Sequence, residues 1–99
     1  MNELEQLQAS AAQAAALLKA MSNPRRLLIL CMLCGAPGTS AGELARATGL
    51  SASATSQHLA RMREEGLIDS TREAQRILYF IKNDAVNQLI STLKTLYCP

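Results

Sequence analysis

Tryptophan is missing from these 99 residues, and the aromatic complement stops at Tyr79, Phe80 and Tyr97. A binder of single-stranded nucleic acid stacks bases on aromatic platforms, so that class is excluded. Long hydrophobic runs are missing too. The longest, Leu27 to Cys34, has 8 residues, whereas a membrane span needs about 20. The acidic start Met1-Asn2-Glu3-Leu4-Glu5 lacks the positive region of a secretory signal. The expectation is a cytoplasmic protein with no membrane partner. Charge of one sign is scarce as well: ten basic against eight acidic residues give +2. Any affinity for nucleic acid must therefore come from where the charges sit. Cysteines number three, Cys31, Cys34 and Cys98. An odd count in a reducing compartment argues against a disulfide framework, leaving packing, metal ligation or thiol redox chemistry.

What is present is an ordered series of helix signals. Leu4, Leu7, Ala11, Ala14, Leu18 and Met21 recur every three or four positions and predict a first helix over 3–21. Asn23 is a good N-cap, and Pro24 suits the first position of a second helix that runs to about Cys34. Apolar on most sides after Arg25 and Arg26, that helix is expected at the centre of a small domain. Ser40-Ala41-Gly42-Glu43 is a capping box that opens a third helix, 41–48, closed by Gly49. Ser51 caps a fourth helix running to about Glu65, with Gly66 beyond it. Two β-rich stretches, 67–72 and 76–81, flank Glu73-Ala74-Gln75 and predict a hairpin. From Asp84 a last helix carries Val86, Leu89, Ile90, Leu93, Leu96 and Tyr97 on one stripe. The order is α-α-α-α-β-β-α, mainly α with one β-hairpin, in a single domain 1–99. A chain this short buries only roughly 60–65% of its unfolded surface, which favours dimerisation.

Two short helices joined by Gly49-Leu50-Ser51 form a helix-turn-helix pattern, in which the second helix enters the major groove. That helix opens with small residues that let its backbone approach DNA. Thr55, Leu59 and Met62 form its inner face. Ser51, Ser53, Ser56, Gln57 and His58 are the candidate contacts at its start, followed by Arg61 and Arg63, and the hairpin adds Arg72, Gln75 and Arg76. Residues 21–82 hold eight basic and five acidic side chains, so the positive charge lies on this segment. Each of these residues also has a blander role, capping a helix or solvating a hairpin. His58 reads as a phosphate contact or a structural hydrogen bonder rather than a metal or catalytic group.

The stretches 23–30 (Asn-Pro-Arg-Arg-Leu-Leu-Ile-Leu), 43–45 (Glu-Leu-Ala), 50–59 (Leu-Ser-Ala-Ser-Ala-Thr-Ser-Gln-His-Leu) and 65–68 (Glu-Gly-Leu-Ile) closely resemble the ArsR/SmtB-type winged-helix repressors. These motifs appear in order and span essentially the whole chain. The resemblance implies a winged helix-turn-helix, with 40–66 as the helix-turn-helix and 67–82 as the wing. It implies a homodimer built on 1–21 and 84–99, repressing a double-stranded operator with two-fold symmetry until a chemical signal releases it. Half-sites would lie roughly 34 Å apart or a multiple of that.

Metal-sensing members of the family carry a cysteine pair at the start of the third helix or carboxylate and histidine ligands on the last. Here Ser40, Ala41 and Gly42 occupy the first position, and the last helix has one carboxylate and no histidine. Neither place can build a zinc site. Cys31 on the second helix and Cys98 after the last resemble instead the sulfide- and persulfide-responsive branch, the BigR, SqrR and YgaV type. That resemblance implies release from DNA when the two thiols are joined by a disulfide or polysulfide, with a small reactive sulfur species as inducer and no cofactor. Both cysteines lie near helix C-termini, where the dipole disfavours thiolate, and nothing in their neighbours predicts a lowered pKa. Cys34 shares a helix face with Cys31 at a Cβ separation of about 5–6 Å, longer than the ~3.8 Å a disulfide favours. It is a spare or competing thiol, or completes the alternative set: Cys31, Cys34 and Cys98 as ligands of a soft metal, metalloid or organometal.

Two other functions compete. Cys31-Met32-Leu33-Cys34 reads as a redox C-x-x-C, but such enzyme motifs gain thiolate character at a helix N-terminus and this one approaches a C-terminus. No acid, base and nucleophile set supports an enzyme elsewhere. A purely structural dimerisation module accounts for the outer helices and predicts no salt-dependent DNA binding.

Overall fold

The computed structural model describes residues 2–98. Polar caps set where its helices begin. Asn2 accepts from the Glu5 N–H and opens α1 (Glu3–Met21). Asn23 accepts from the N–H groups of Arg25 and Arg26, and Pro24 takes the first position of α2 (Pro24–Gly35). A two-residue strand β1 (Thr39–Ser40) leads into α3 (Ala41–Thr48), where Ser40 and Glu43 close the expected capping box. Gly49, at φ 76, takes the left-handed conformation that ends α3. Ser51 then caps α4 (Ala52–Glu64). The hairpin β2 (Ile68–Glu73) and β3 (Arg76–Ile81) follows, and Asn83 caps α5 (Asp84–Tyr97).

The helices fall where the caps predicted, and the hairpin turns at Ala74-Gln75. Ala74 adopts φ 58, a left-handed conformation that a side chain ordinarily avoids. Two details differ from expectation. Leu67 precedes the sheet, and β2 runs on to Glu73. The sheet also has a third member: β1 pairs antiparallel with β3, Thr39 opposite Tyr79 and Ser40 opposite Leu78, giving the order β1-β3-β2. Two residues carry no alternation, so the pattern of apolar positions could not announce this strand.

The core draws on every helix but scarcely on α1. Ile29, Leu30 and Leu33 of α2 lie at its centre, against Leu44, Leu59, Met62, Leu67, Ile68, Val86 and Ile90. Met21 alone of α1 is buried. Leu4, Leu7 and Leu18 stay more than half exposed, and α1 helps stretch the chain to 50 × 32 × 20 Å. The stripe of α5 divides: Val86 and Ile90 are buried, Leu89 and Leu93 are half-buried, and Leu96 and Tyr97 are exposed. An apolar groove between the two helices is lined by Leu18, Met21, Leu27, Leu89 and Leu93. Among the described residues no helix is long and apolar enough to cross a membrane.

Candidate nucleic-acid interface and thiol site

At the start of α4 the Ser51 hydroxyl accepts the Ala54 N–H at 3.0 Å, so its acceptor serves the cap. Thr55, Leu59 and Met62 face the core, and the Thr55 hydroxyl donates to Ser51 O at 2.9 Å. Ser53, Ser56 and Gln57 are left exposed on the outward side. His58 lies apart from them, half-buried on the flank that meets the first turn of α2. Burial, then the charges of Arg26 and Arg25, hold its pKa below the usual imidazole value. The ring is therefore biased toward neutrality, which leaves it one N–H to donate rather than a positive charge.

The arginines are exposed but already partnered. Arg61 Nε lies 3.3 Å from Glu65 Oε1, and Arg26 shares that carboxylate at 3.5 Å. Arg63 Nε lies 3.3 Å from Asp69 Oδ1. Arg72 Nε donates to Ala74 O at 3.1 Å across the hairpin tip, beside exposed Gln75. Arg76 donates to the Glu43 carboxylate, joining β3 to the first turn of α3. That carboxylate is held below its usual pKa first by the Ser40 hydroxyl, then by the Ser40 N–H, with Arg76 adding to both. Exposed ion pairs are worth roughly 0–1 kcal/mol, so a DNA phosphate can replace such a carboxylate at small cost. The structure thus gathers Ser53, Ser56 and Gln57 on one outward surface. It ties four of the candidate cations to local groups and turns His58 inward.

All three cysteines are free thiols: Cys31 and Cys34 are half-buried on α2, and Cys98 is exposed as the C-cap of α5. Burial raises the Cys31 pKa. Lys94 pulls it back down, while the charges of Cys98 and Cys34 push it further up. These opposing charges place both other thiols and one lysine in its neighbourhood. Lys94 Nζ donates to the Cys31 carbonyl at 3.3 Å, and the Cys98 N–H donates to the Lys94 carbonyl at 2.9 Å. Lys94 thus ties the end of α5 to the Cys31 backbone, and the sequence reading passed over it. Its signal was the i, i+4 spacing of Lys94 and Cys98 on the last turn of α5. Among the described residues no group of three or more His, Cys, Asp and Glu is placed to hold a metal ion. Among those residues Cys31, Cys34 and Cys98, the alternative ligand set, do not form such a group.

Comparison with known proteins identifies the family of this fold. The description of bacterial regulatory proteins of the arsR family matches residues 23–70, from the cap of α2 into β2. The chain is 81% identical over 99 residues to the HTH-type transcriptional regulator YgaV of Escherichia coli K12, covering all of both proteins. It is 45% identical over 95 residues to the transcriptional activator HlyU of Vibrio cholerae, covering 96% of this chain and 87% of that one. Its fold superposes on the crystal structure of the transcriptional repressor BigR of Xylella fastidiosa with a TM-score of 0.85 at 32% identity, covering 99% of each chain. With relatives named as regulators of transcription rather than as enzymes, a reading helix and wing in place, and identity running the length of the chain, this protein belongs to the ArsR family of transcriptional regulators.

Proposed function

We propose that the chain is a homodimeric repressor that leaves its operator when Cys31 and Cys98 are oxidised or bridged by a persulfide or polysulfide. Residues 1–21 and 84–99 supply the dimer face, 40–66 read the operator, and 67–82 form the wing. Ser53, Ser56 and Gln57 face the bases, and Arg72, Gln75 and Arg76 serve the phosphates. One observation supports the switch: Lys94, one helical turn before Cys98, reaches from α5 to the Cys31 carbonyl of α2, so both cysteines flank the contact between these two helices. A covalent bridge there fixes α5 against α2, and α2 lies at the core beneath the reading helices. Reduced and bridged forms are then two discrete states that DNA distinguishes. The apolar flanks of α1 and α5, open in one chain, support the dimer.

The test is fluorescence anisotropy of the reduced protein on its own upstream DNA, titrated with sodium tetrasulfide, with intact-mass analysis of each sample. The expected result is release accompanied by loss of two free thiols mapped to Cys31 and Cys98. Cys98→Ser is expected to bind DNA normally and ignore tetrasulfide. A Cys98→Ser protein that still responds as the parent does removes the proposed pair. Tight binding that ignores tetrasulfide in the parent removes sulfur sensing and keeps the regulator.

A further inference from the structure

Thiol attack on a polysulfide faces an electrostatic obstacle, because the thiolate and the polysulfide are both anions when they react. Burial of Cys31 adds to it, since a half-buried thiolate is poorly solvated. A fixed cation beside the reacting sulfur removes part of both penalties. Lys94 brings a cation to the same residue, and its charge favours the Cys31 thiolate. Its Nζ is anchored on the Cys31 carbonyl at 3.3 Å, over the last turns of α2. The place is kept open by Gly35, where a Cβ would come within 3.3 Å of the same nitrogen. An ammonium has three donors and the carbonyl takes one, leaving two for a ligand. Among the described residues no carboxylate lies within ion-pairing distance of it. Its own carbonyl receives the Cys98 N–H at 2.9 Å, so the backbone that carries this cation lies one helical turn before the second thiol of the switch.

We propose that Lys94 is an anion-binding residue that receives the charged end of a polysulfide and selects anionic sulfane sulfur over neutral oxidants. The inference rests on the sulfur-sensing reading above and names its ligand class. With tetrasulfide the chemistry balances in two steps. Cys31 Sγ attacks a terminal sulfur, one S–S bond of the tetrasulfide breaks, and trisulfide leaves carrying the Cys31 proton, so that Cys31 holds a persulfide anion. Cys98 Sγ then attacks Cys31 Sγ, the persulfide S–S bond breaks, and hydrosulfide leaves with the Cys98 proton. Two thiols are oxidised to one disulfide, and tetrasulfide is reduced to trisulfide and hydrosulfide. Lys94 holds the negative end of the reagent in the first step and the departing anion in each.

The experiment compares rates of Cys31 modification in the full-length reduced protein, by quenched-flow mass analysis, with tetrasulfide and with the uncharged 2-hydroxyethyl disulfide. The ratio of the two rates cancels any general change in thiol acidity or access. Lys94→Gln keeps a donor for the Cys31 carbonyl without the charge, and is expected to lower that ratio about tenfold. Lys94→Arg is expected to hold it within about twofold. Raising salt to about 1 M, where screening acts within roughly 3 Å, is expected to bring the parent's ratio toward that of Lys94→Gln, a measurement that needs no variant to fold. A ratio unchanged in Lys94→Gln and insensitive to salt overturns the assignment, as does equal slowing with both reagents. A parent protein whose Cys31 ignores tetrasulfide refutes the sulfur-sensing reading itself, so the two failures are told apart.

Discussion

The stretch from Ser40 to Ile81 and the two outer helices use the same kinds of residue to opposite ends. In the reading segment every large apolar side chain of α3 and α4 is buried, the cap of α3 is closed, and Arg61, Arg63, Arg72 and Arg76 have partners. On α1, Leu4, Leu7 and Leu18 face outward although the spacing is that of a packed helix, and Leu96 and Tyr97 do the same beyond the buried part of α5. Apart from Ile77 on the hairpin, one segment covers its large apolar side chains within a single chain. The other carries apolar surface that a single chain does not cover. Helical periodicity registers both as amphipathic, and only burial separates a face that has its partner from one that lacks it.

The sharpest way to break this contrast is a charge on the open face. Leu18→Glu is expected to leave the monomer folded, abolish the dimer in sedimentation velocity, and weaken operator binding at least about a hundredfold, because half-sites are then bound independently. Retention of a dimer would place the interface elsewhere. The converse change belongs inside the reading segment. Leu59→Ala, at a fully buried position, is expected to cost about 2–5 kcal/mol in urea unfolding extrapolated to a fixed protein concentration, with no loss of dimer contacts.

Smaller effects sharpen the electrostatic side. The folded-state pKa of Glu43 lies below its unfolded value. Its contribution to stability is therefore present above the unfolded carboxylate range, about 4.3, and lost as pH falls through the folded value. Glu43→Gln is expected to flatten the acid limb of Tm against pH between about 3 and 5. Arg76→Gln, which removes a cation assigned to phosphate, is expected to flatten the salt dependence of DNA binding by about one unit of slope. An unchanged slope would show that Arg76 does not reach phosphate. His58 is lowered too, so folding favours its neutral form, and stability falls as pH drops below the unfolded value of about 6.5. His58→Gln is expected to blunt that decline in the same titration. The smallest effect sits at the hairpin tip. Ala74→Gly relieves the positive φ but loosens the unfolded chain, for an expected net gain of about 0.5 kcal/mol in thermal unfolding.

Much of the fold was legible because its signals are local. Asn23-Pro24, Ser40 with Glu43, and Ser51 each mark a helix start within four residues, and the structure places the helix starts there. The inner face of α4 followed from spacing alone. What stayed hidden lies across the chain: Arg76 on Glu43 is 33 positions distant, and Lys94 on Cys31 is 63. No periodicity reports such pairs, because folding rather than sequence proximity brings them together. The arginine list was therefore silent about occupancy, and the cysteine pair was named without the lysine that bonds the Cys31 carbonyl.

Ser40 does two jobs in one place: it is a rung of the sheet opposite Leu78 and the cap of α3. A residue so shared leaves no slack between hairpin and helix, and the Arg76–Glu43 contact fastens the same seam from the other side. Because α3 in turn packs against α4, wing and helix-turn-helix then behave as the jaws of a caliper set at a fixed gap rather than as two fingers that close on their target. A duplex would have to supply the matching width by its own bending or groove geometry. Stiffness at this seam would turn the mechanical compliance of an operator into part of what the protein recognises.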